Sequence, residues 1–369
     1  MSESVLTSIE VCQASGKQWG VITLNQEKSL NSLTFEMIQI VSKTLRDWHN
    51  NDSIVGVTLQ GAGEKSFCAG GDIRMLYTAM KSAPKGEVLD GASQFFQSEY
   101  SLDYMIHTYS KPILCLGHGI VMGGGLGLMA GASHRVLSER STVAMPEISI
   151  GLYPDVGASW FLNRMPGRVG LYLGLTGTRL KASDCLFVGL GDHYIERSHH
   201  SSIMSLIHDT LWVDSKNYKI NHAMLSKLLK SLSSPAPESE LRKHFDAIQE
   251  LTHHESVSEI WRAFENYSGT DEWILAGKKT LLVGSPTSAA VLCEQLKRSK
   301  HLSLADCFRM ELNMSNQFAA RSDFPEGVRA LLIDKDQNPK WSPSSLGLIT
   351  DEWVDGHFKP YKNSVLNLH

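Results

Sequence analysis

The sequence of 369 residues has no Cys-x-x-Cys pair, and its six cysteines are scattered singly. A disulfide framework or a zinc ribbon is therefore unsupported, and a reducing compartment is expected. There is also no excess of either charge, since 35 Lys and Arg oppose 39 Asp and Glu, so no basic field favours nucleic acid as a partner. Residues 1–10 contain two acids, no Lys or Arg and no long apolar run. This pattern argues against export and against a basic transit peptide, and we expect a cytoplasmic protein.

The composition is typical of a folded globular protein, with 42% hydrophobic and 20% charged residues. One stretch, residues 113–132, is apolar apart from His118 and approaches the length of a membrane span. Its glycines, above all Gly117, Gly119 and the triplet 123–125, would break a helix. We therefore expect a strand, a tight loop and a buried helix there, and no membrane partner.

Short β-rich runs alternate with helical patterns in the first half of the chain. Strands are predicted at residues 20–25, 55–60, 113–116 and 135–137. Thr34 is expected to cap a helix that continues to Asn50. Alternation at this spacing predicts βαβ units, whose ligand sites gather at the strand ends.

After residue 196 the pattern becomes helical and more polar, with residues 231–237 as a linker between helices. No strand-like run of comparable strength follows. We therefore predict an α/β core over 1–196, which would hold the ligand site, a helical insertion over 197–285 and a C-terminal helical region over 286–369.

Two glycine-rich turns, residues 67–72 and 122–127, each follow β-rich sequence. Glycine lets a ligand approach the backbone closely, and amides at the start of a helix have no internal acceptor. If Gly71 and Gly124 direct their N–H groups into one crevice, they form a two-donor oxyanion hole. The alternative is a pair of ordinary tight turns.

Three acids are candidates for chemistry. Glu147 stands among apolar residues, where desolvation would raise its pKa and make it a candidate base or nucleophile. Asp155 follows eight residues later, beyond a turn, and Glu99 in an aromatic stretch is a weaker candidate. A helix cap and surface acids remain the alternative interpretation of these residues.

Taken together, these motifs resemble the crotonase (enoyl-CoA hydratase/isomerase) superfamily. The resemblance lies in residues 24–33, 67–73, 122–125 and 145–155, and resumes in the tail at 323–336 and 339–341. It implies an α/β fold, a crotonase-like spiral of ββα/βαβ repeats with a helical C-terminal part. It is greatest to the branch that hydrolyses acyl-CoA thioesters, which implies 3-hydroxyisobutyryl-CoA, a compound of valine breakdown, as the substrate.

The resemblance also implies roles for particular residues. The amides of Gly71 and Gly124 would hold the thioester oxygen, Glu147 would be the catalytic carboxylate, and Asp155 and Glu99 would contact the acyl group. No metal and no cofactor are implied beyond the coenzyme A of the substrate, and a homo-oligomer stays open. Coenzyme A would lie against a set of residues around the first glycine turn, namely Lys28, Ser29, Ala69, Gly71, Asp72 and Ile73.

Other activities remain as alternatives. Hydratases of this superfamily carry a further acid shortly after the glycine triplet, where this chain has Leu126-Gly127-Leu128. Hydration is therefore disfavoured, and an enoyl-CoA isomerase that uses one carboxylate is the nearest rival. A serine hydrolase would need Gly-x-Ser-x-Gly, which the sequence lacks, and a scaffold that only binds a partner is a further alternative. The histidine pairs 199–200 and 253–254 are interpreted as solvated helix surface rather than metal ligands.

Overall fold

The computed structural model describes residues 3–84, 86–362 and 364–368. The strands, in chain order, are β1 (Val5–Val11), β2 (Gln18–Leu24), β3 (Ile54–Gly61), β4 (Ser66–Cys68), β5 (Ile113–Leu116), β6 (Ile120–Met122), β7 (His134–Leu137), β8 (Thr142–Ala144) and β9 (His193–Tyr194). The helices are α1 (Phe35–His49), α2 (Ile73–Ser82), α3 (Asp90–His107), α4 (Gly124–Gly131), α5 (Ala158–Phe161), α6 (Val169–Thr176), α7 (Ala182–Val188), α8 (His200–His208), α9 (Tyr218–Leu232), α10 (Glu240–Lys243), α11 (Phe245–Thr252), α12 (Val257–Asn266), α13 (Glu272–Val283), α14 (Pro286–Ser299), α15 (Leu304–Ala319), α16 (Asp323–Val328) and α17 (Asp351–Asp355).

The chain forms two compact units, each assembled from three separate segments. The first unit comprises residues 1–71, 102–143 and 180–242, and the second comprises 72–101, 144–179 and 243–369. The three-part division 1–196, 197–285 and 286–369 is a division along the sequence and stays a prediction.

The first unit is built on a six-stranded sheet in the order β1-β2-β3-β5-β7-β9. β1 pairs antiparallel with β2, and the pairs from β2 to β9 are parallel. A smaller sheet has the order β4-β6-β8, and β4 pairs parallel with β6. The predicted strands at 20–25, 55–60, 113–116 and 135–137 correspond to β2, β3, β5 and β7. The α/β prediction is therefore confirmed.

Helix α1 shows how local sequence sets one of these elements. The side chain of Thr34 accepts a hydrogen bond from the Met37 amide, so the helix begins where the sequence predicted. One face buries Met37, Ile38, Val41, Leu45 and Trp48, and each large apolar side chain removed from water contributes roughly 1.5–3 kcal/mol. The opposite face is polar, which gives the helix its periodicity.

Trp19 forms the centre of the apolar core in the first unit. Its ring packs against Trp212 with centroids 4.8 Å apart, and its indole N–H donates to Thr58 Oγ1 at 2.9 Å. A Cβ on Gly56 would lie 2.2 Å from the Trp19 ring, so glycine is required there to admit the indole. The core also takes in Ile203, Ile207 and Leu225 from α8 and α9.

The described part of the second unit is helical. It contains α2, α5, α6 and α11 to α17, together with the first turns of α3. Trp353 from α17 donates its indole N–H to Thr287 on α14, and Trp341 donates to the carbonyl oxygen of Val283 at the end of α13. These two contacts fix the tail against the helices of the second unit. The helical C-terminal part is thus confirmed.

Two expectations about particular segments have mixed outcomes. Residues 113–132 form β5, β6 and α4, so the predicted strand, turn and buried helix are present with one additional short strand. Within the described residues, none of the helices combines the length and the apolar character needed to cross a bilayer. The interpretation of His200 as solvated surface is wrong, because this side chain is buried and its Nε2 lies 3.3 Å from the carbonyl oxygen of Ile195.

Candidate active site

The two glycine-rich turns lie side by side in the first unit. β4 and β6 are parallel neighbours that end at Cys68 and Met122, so the turns that follow them leave from the same edge of the small sheet. Gly70 has a φ of +112°, and a Cβ there would lie 3.3 Å from the Met122 carbonyl oxygen and 3.9 Å from the Gly124 nitrogen. The close approach of the two turns therefore depends on glycine.

The backbone amides of Gly71 and Gly124 are both available to a ligand. Gly124 is the first residue of α4, a position whose N–H has no acceptor within the helix. Across residues 3–84, 86–362 and 364–368, neither amide has a hydrogen-bond acceptor. Such N–H groups can stabilise a negative oxygen.

The segment before the first glycine turn is held by Asn31. Its Nδ2 donates to the carbonyl oxygens of Ala62 and Ser66 at 3.0 and 2.8 Å, and its Oδ1 accepts from the Gln26 amide. Leu30 and Asn31 both have a left-handed φ, of 55° and 56°. The Ala69 amide donates to the Leu30 carbonyl oxygen at 3.1 Å, so the two loops are tied together.

The residues predicted to bind coenzyme A fall into two groups. Lys28 and Ser29 are exposed on a short 3-10 turn in the first unit, and the turn's next residue, Leu30, is bonded to Ala69. Asp72 and Ile73 begin the second unit, where the Asp72 side chain caps α2 by accepting from the Met75 amide at 3.2 Å. Lys28, Ser29 and Ala69 therefore belong to the first unit, where the backbone hydrogen bond between Ala69 and Leu30 ties their two loops together.

Three predicted acids lie together in the second unit. Glu99 comes from α3, Glu147 begins a 3-10 turn after Pro146, and Asp155 lies in the loop before α5. Their exposed fractions are only 3%, 4% and 5%. The alternative of surface acids is therefore wrong for all three.

Burial is the main cause of the pKa shifts in this carboxylate cluster, which we define as Glu99, Glu147 and Asp155. Desolvation and the charge of Asp155 raise the pKa of Glu147 well above its ordinary value, and Glu99 adds to the effect. Desolvation and Asp155 also raise the pKa of Glu99. Desolvation raises the pKa of Asp155 to about 6, against a lowering contribution from the hydrogen bond with Tyr100. Within the described residues, Oε2 of Glu147 is buried without a hydrogen-bond partner.

Three hydroxyl groups form a chain of hydrogen bonds that leads from Asp155 to helix α15. The Tyr100 hydroxyl is hydrogen-bonded to Asp155 Oδ2 at 2.6 Å and lies 2.5 Å from Ser315 Oγ. Ser315 Oγ lies 2.8 Å from the Tyr153 hydroxyl, which donates to the carbonyl oxygen of Glu311 at 2.7 Å. All of these groups are buried. The orientation of Asp155 is thus set by residues of α3 and α15.

Glu311 holds the loop that carries Asp155. One carboxylate oxygen accepts from the Gly157 amide at 2.7 Å and the other accepts from the Ser159 amide at 2.8 Å. Val156 lies between Asp155 and Gly157 in the chain, and its φ of 52° is one that a β-branched residue rarely adopts. The Glu311 carboxylate therefore stabilises a strained backbone next to the carboxylate cluster.

The sequence did not single out Tyr100, Ser315, Tyr153 and Glu311. Two of them had a visible signal, because Tyr100 follows Glu99 directly and Tyr153 belongs to the Tyr-Pro-Asp motif. Ser315 and Glu311 carried none, because Ser315 lies 215 positions from Tyr100 and Glu311 sits in an ordinary helical pattern. No group of three or more His, Cys, Asp or Glu with metal-binding geometry occurs in the part of the chain described.

A buried carboxylate with a raised pKa can act as a base or as a nucleophile, and paired free amides can stabilise an oxyanion. Comparison with known proteins places the chain in a family. The family model for enoyl-CoA hydratase/isomerase matches residues 19–358, and the chain belongs to that family. The resemblance seen in the sequence is confirmed.

The relatives found among curated proteins are more specific. The chain is 40% identical over 351 residues to the mitochondrial 3-hydroxyisobutyryl-CoA hydrolase of Xenopus tropicalis, which covers 95% of this chain and 88% of the relative. It is 36% identical over 349 residues to the protein of the same name from Homo sapiens, covering 94% and 88%. Both names state a mitochondrial protein. The prediction of a cytoplasmic location is therefore wrong. It rested on the scattered cysteines and on the composition of residues 1–10, of which Met1 and Ser2 lie outside the described residues.

Solved structures share the fold over nearly the whole chain. A carnitinyl-CoA dehydratase from Mycobacterium thermoresistibile superposes with a TM-score of 0.86 at 32% identity, covering 98% of each chain. An enoyl-CoA hydratase from Rhodobacter sphaeroides 2.4.1 superposes with a TM-score of 0.84 at 29% identity, covering 99% of this chain and all of that one. The match therefore includes the helical C-terminal part as well as the α/β core.

Proposed function

We propose that this protein hydrolyses the thioester of 3-hydroxyisobutyryl-CoA and releases 3-hydroxyisobutyrate and free CoA, a step of valine breakdown. The observation that carries the proposal is the 36–40% identity to proteins of that name over more than nine-tenths of the chain. Because those relatives are named as mitochondrial, we place the activity in the mitochondrion. Beyond the coenzyme A of the substrate, the reaction needs no cofactor.

The amides of Gly71 and Gly124 bind the thioester oxygen in this proposal. Attack on the thioester carbon makes that oxygen negative, and N–H groups without another acceptor stabilise the charge as it develops. Loss of one such donor costs roughly 3 kcal/mol of barrier, about 10²-fold in rate. The free amides of both glycines support this role.

Glu147 supplies the reacting carboxylate. It either attacks the thioester carbon, so that the C–S bond breaks and a mixed anhydride forms that water then cleaves, or it takes a proton from the water that attacks directly. Both routes consume one water and end with the acid and the thiol, because the thiolate leaving group takes up a proton. The burial of Glu147 and its unpartnered Oε2 support either role.

The remaining cluster acids contact the acyl group. Asp155 accepts a hydrogen bond from the 3-hydroxyl, which favours hydroxyacyl over plain acyl substrates. Glu99 lies beside it and completes the polar end of the acyl site. Coenzyme A lies against the residues predicted from the resemblance, which are Lys28, Ser29, Ala69, Gly71, Asp72 and Ile73.

Hydration or isomerisation of an enoyl-CoA is the second candidate, because the solved structures with the same fold are named as a dehydratase and a hydratase. The sequence of α4, Gly-Gly-Leu-Gly-Leu-Met-Ala-Gly, contains no acid. The second carboxylate that the superfamily's hydratases carry after the glycine triplet is therefore missing, which favours hydrolysis.

A thiol-release assay separates the two candidates. The purified protein is offered 3-hydroxyisobutyryl-CoA, 3-hydroxypropionyl-CoA, isobutyryl-CoA and crotonyl-CoA in parallel, with free thiol and loss of the conjugated double bond both recorded. We expect thiol release that is fastest with the hydroxyacyl thioesters. Loss of the crotonyl double bond without thiol release would overturn the proposal in favour of a hydratase.

A further inference from the structure

A chain of four short oxygen–oxygen contacts runs from Asp155 into α15. It links Asp155 Oδ2 to the Tyr100 hydroxyl at 2.6 Å, and that hydroxyl to Ser315 Oγ at 2.5 Å. It continues from Ser315 Oγ to the Tyr153 hydroxyl at 2.8 Å and ends at the Glu311 carbonyl oxygen at 2.7 Å. Each separation is a hydrogen-bond length for two oxygens, and each requires one proton between them.

The hydroxyl groups do not supply enough protons for this chain. Tyr100, Ser315 and Tyr153 carry one hydroxyl proton each, and the carbonyl oxygen of Glu311 carries none. Three protons can fill only three of the four contacts, and the fourth would bring two lone pairs together at 2.5–2.8 Å. The group at the other end of the chain, the carboxyl group of Asp155, is the one that can supply the missing proton.

We propose that Tyr100, Ser315 and Tyr153 are positioning residues that keep Asp155 in its neutral acid form, so that the negative charge of the carboxylate cluster rests on Glu147. With Asp155 protonated, every contact is filled in one direction. Asp155 donates to Tyr100, Tyr100 to Ser315, Ser315 to Tyr153, and Tyr153 to the carbonyl oxygen of Glu311. This inference rests on the proposed function only in giving Glu147 the reacting role.

The acids around Asp155 favour keeping at least one proton in the carboxylate cluster. The titratable groups that face it are Glu99 and Tyr100 from α3, Glu147 from the 3-10 turn, Tyr153 from its own loop and Glu311 from α15. These groups are acids or phenols, and two buried carboxylates side by side do not both ionise readily. Burial raises the pKa of Asp155 to about 6 and raises the pKa of Glu147 well above its ordinary value, so the proton count along the chain of contacts, and not burial, assigns the proton to Asp155.

A neutral Asp155 remains compatible with recognition of the 3-hydroxyl. Tyr100 is bonded to Oδ2, and the carbonyl-like Oδ1 still accepts a hydrogen bond from the substrate. Asparagine reproduces this pattern, with an N–H toward Tyr100 and a carbonyl oxygen toward the substrate. Asp155→Asn should therefore keep the preference for hydroxyacyl over plain acyl thioesters within about threefold, whereas Asp155→Leu should abolish it. An Asp155→Asn protein that loses the preference as Asp155→Leu does would overturn the neutral form.

Infrared spectroscopy of the substrate-free protein tests the proton directly. The difference spectrum of the wild type minus Asp155→Asn near neutral pH should contain the carbonyl stretch of a protonated carboxyl group, shifted in D₂O. Ser315→Ala leaves two hydroxyl protons for two contacts, so Asp155 no longer needs a proton and the band should weaken or vanish. A wild-type spectrum with only carboxylate bands would refute the proposal. This readout needs no turnover, so it is separate from failure of the proposed hydrolysis.

The pH profile of hydrolysis gives the second readout. In Ser315→Ala, an ionised Asp155 raises the pKa of Glu147, so the acid limb of kcat/KM should move up by about 1 pH unit. Tyr100→Phe should leave the acid limb in place, because it removes the hydroxyl that would stabilise an ionised Asp155 and the buried carboxyl group stays neutral. The matched controls are Ser299→Ala and Tyr109→Phe, buried hydroxyls that donate to the helix carbonyl oxygens of Gln295 and Leu45. A lower kcat with an unmoved acid limb in Ser315→Ala would mean a structural role only, and would overturn the proposal.

Discussion

Replacement of Glu311 by glutamine should destabilise the protein strongly although it changes a single atom. Both carboxylate oxygens accept backbone N–H groups, from Gly157 at 2.7 Å and from Ser159 at 2.8 Å, and the side chain is completely buried. Glutamine offers one oxygen and one NH₂ group, so one buried amide would face another donor. A buried donor left without an acceptor costs about 1–3 kcal/mol.

We therefore expect Glu311→Gln to lower the free energy of unfolding by about 2–3 kcal/mol, a large part of the 5–15 kcal/mol that is usual for a domain. Urea unfolding followed by tryptophan fluorescence measures it. Glu294→Gln on α14 is the matched control, because Glu294 makes only a partly exposed pair with Arg298 and should cost no more than about 0.5 kcal/mol. Equal unfolding free energies for Glu311→Gln and the wild type would refute the stabilising role of this carboxylate.

Two further changes have clear expected outcomes. Gly56→Ala would place a Cβ 2.2 Å from the buried Trp19 ring and should lower the free energy of unfolding in urea by about 3 kcal/mol. Gly91→Ala is the control, because its Cβ would meet no atom within 4 Å and the change should be neutral or slightly stabilising. Similar unfolding free energies for the two variants would contradict the packing argument. The reacting form of Glu147 is the carboxylate, and the pKa of this group is raised. The value of kcat/KM should therefore fall as the pH is lowered through a value above 4.5, the ordinary pKa of glutamate. An acid limb at or below pH 4.5 would contradict the assignment.

Sequence periodicity predicted the elements whose signals are local. Thr34 and the apolar spacing that follows it define α1, and the apolar runs define β2, β3, β5 and β7. The glycine turns and the three acids could also be selected in advance, because each lies in a short motif. Glu147 was singled out correctly as a buried acid, since apolar neighbours surround it in the sequence as they do in the structure.

The surroundings of Asp155 could not be predicted in the same way. Ser315 and Glu311 lie one helical turn apart on α15, more than 150 positions beyond Asp155, and nothing local distinguishes them from residues of an ordinary amphipathic helix. Buried polar groups are chosen by the partners that the fold brings to them, and a single sequence does not reveal those partners. His200 was misjudged for the same reason, because its burial depends on packing in the first unit.

The most direct test of the central claim is thiol release from 3-hydroxyisobutyryl-CoA by Glu147→Gln. The amide keeps the size of the side chain but can neither attack the thioester nor accept a proton from water, so the rate should fall by at least about 10³-fold while coenzyme A still binds with its wild-type affinity. Glu352→Gln, an exposed acid of α17, should hydrolyse at the wild-type rate. Hydrolysis by Glu147→Gln within a few-fold of the wild type would contradict the account.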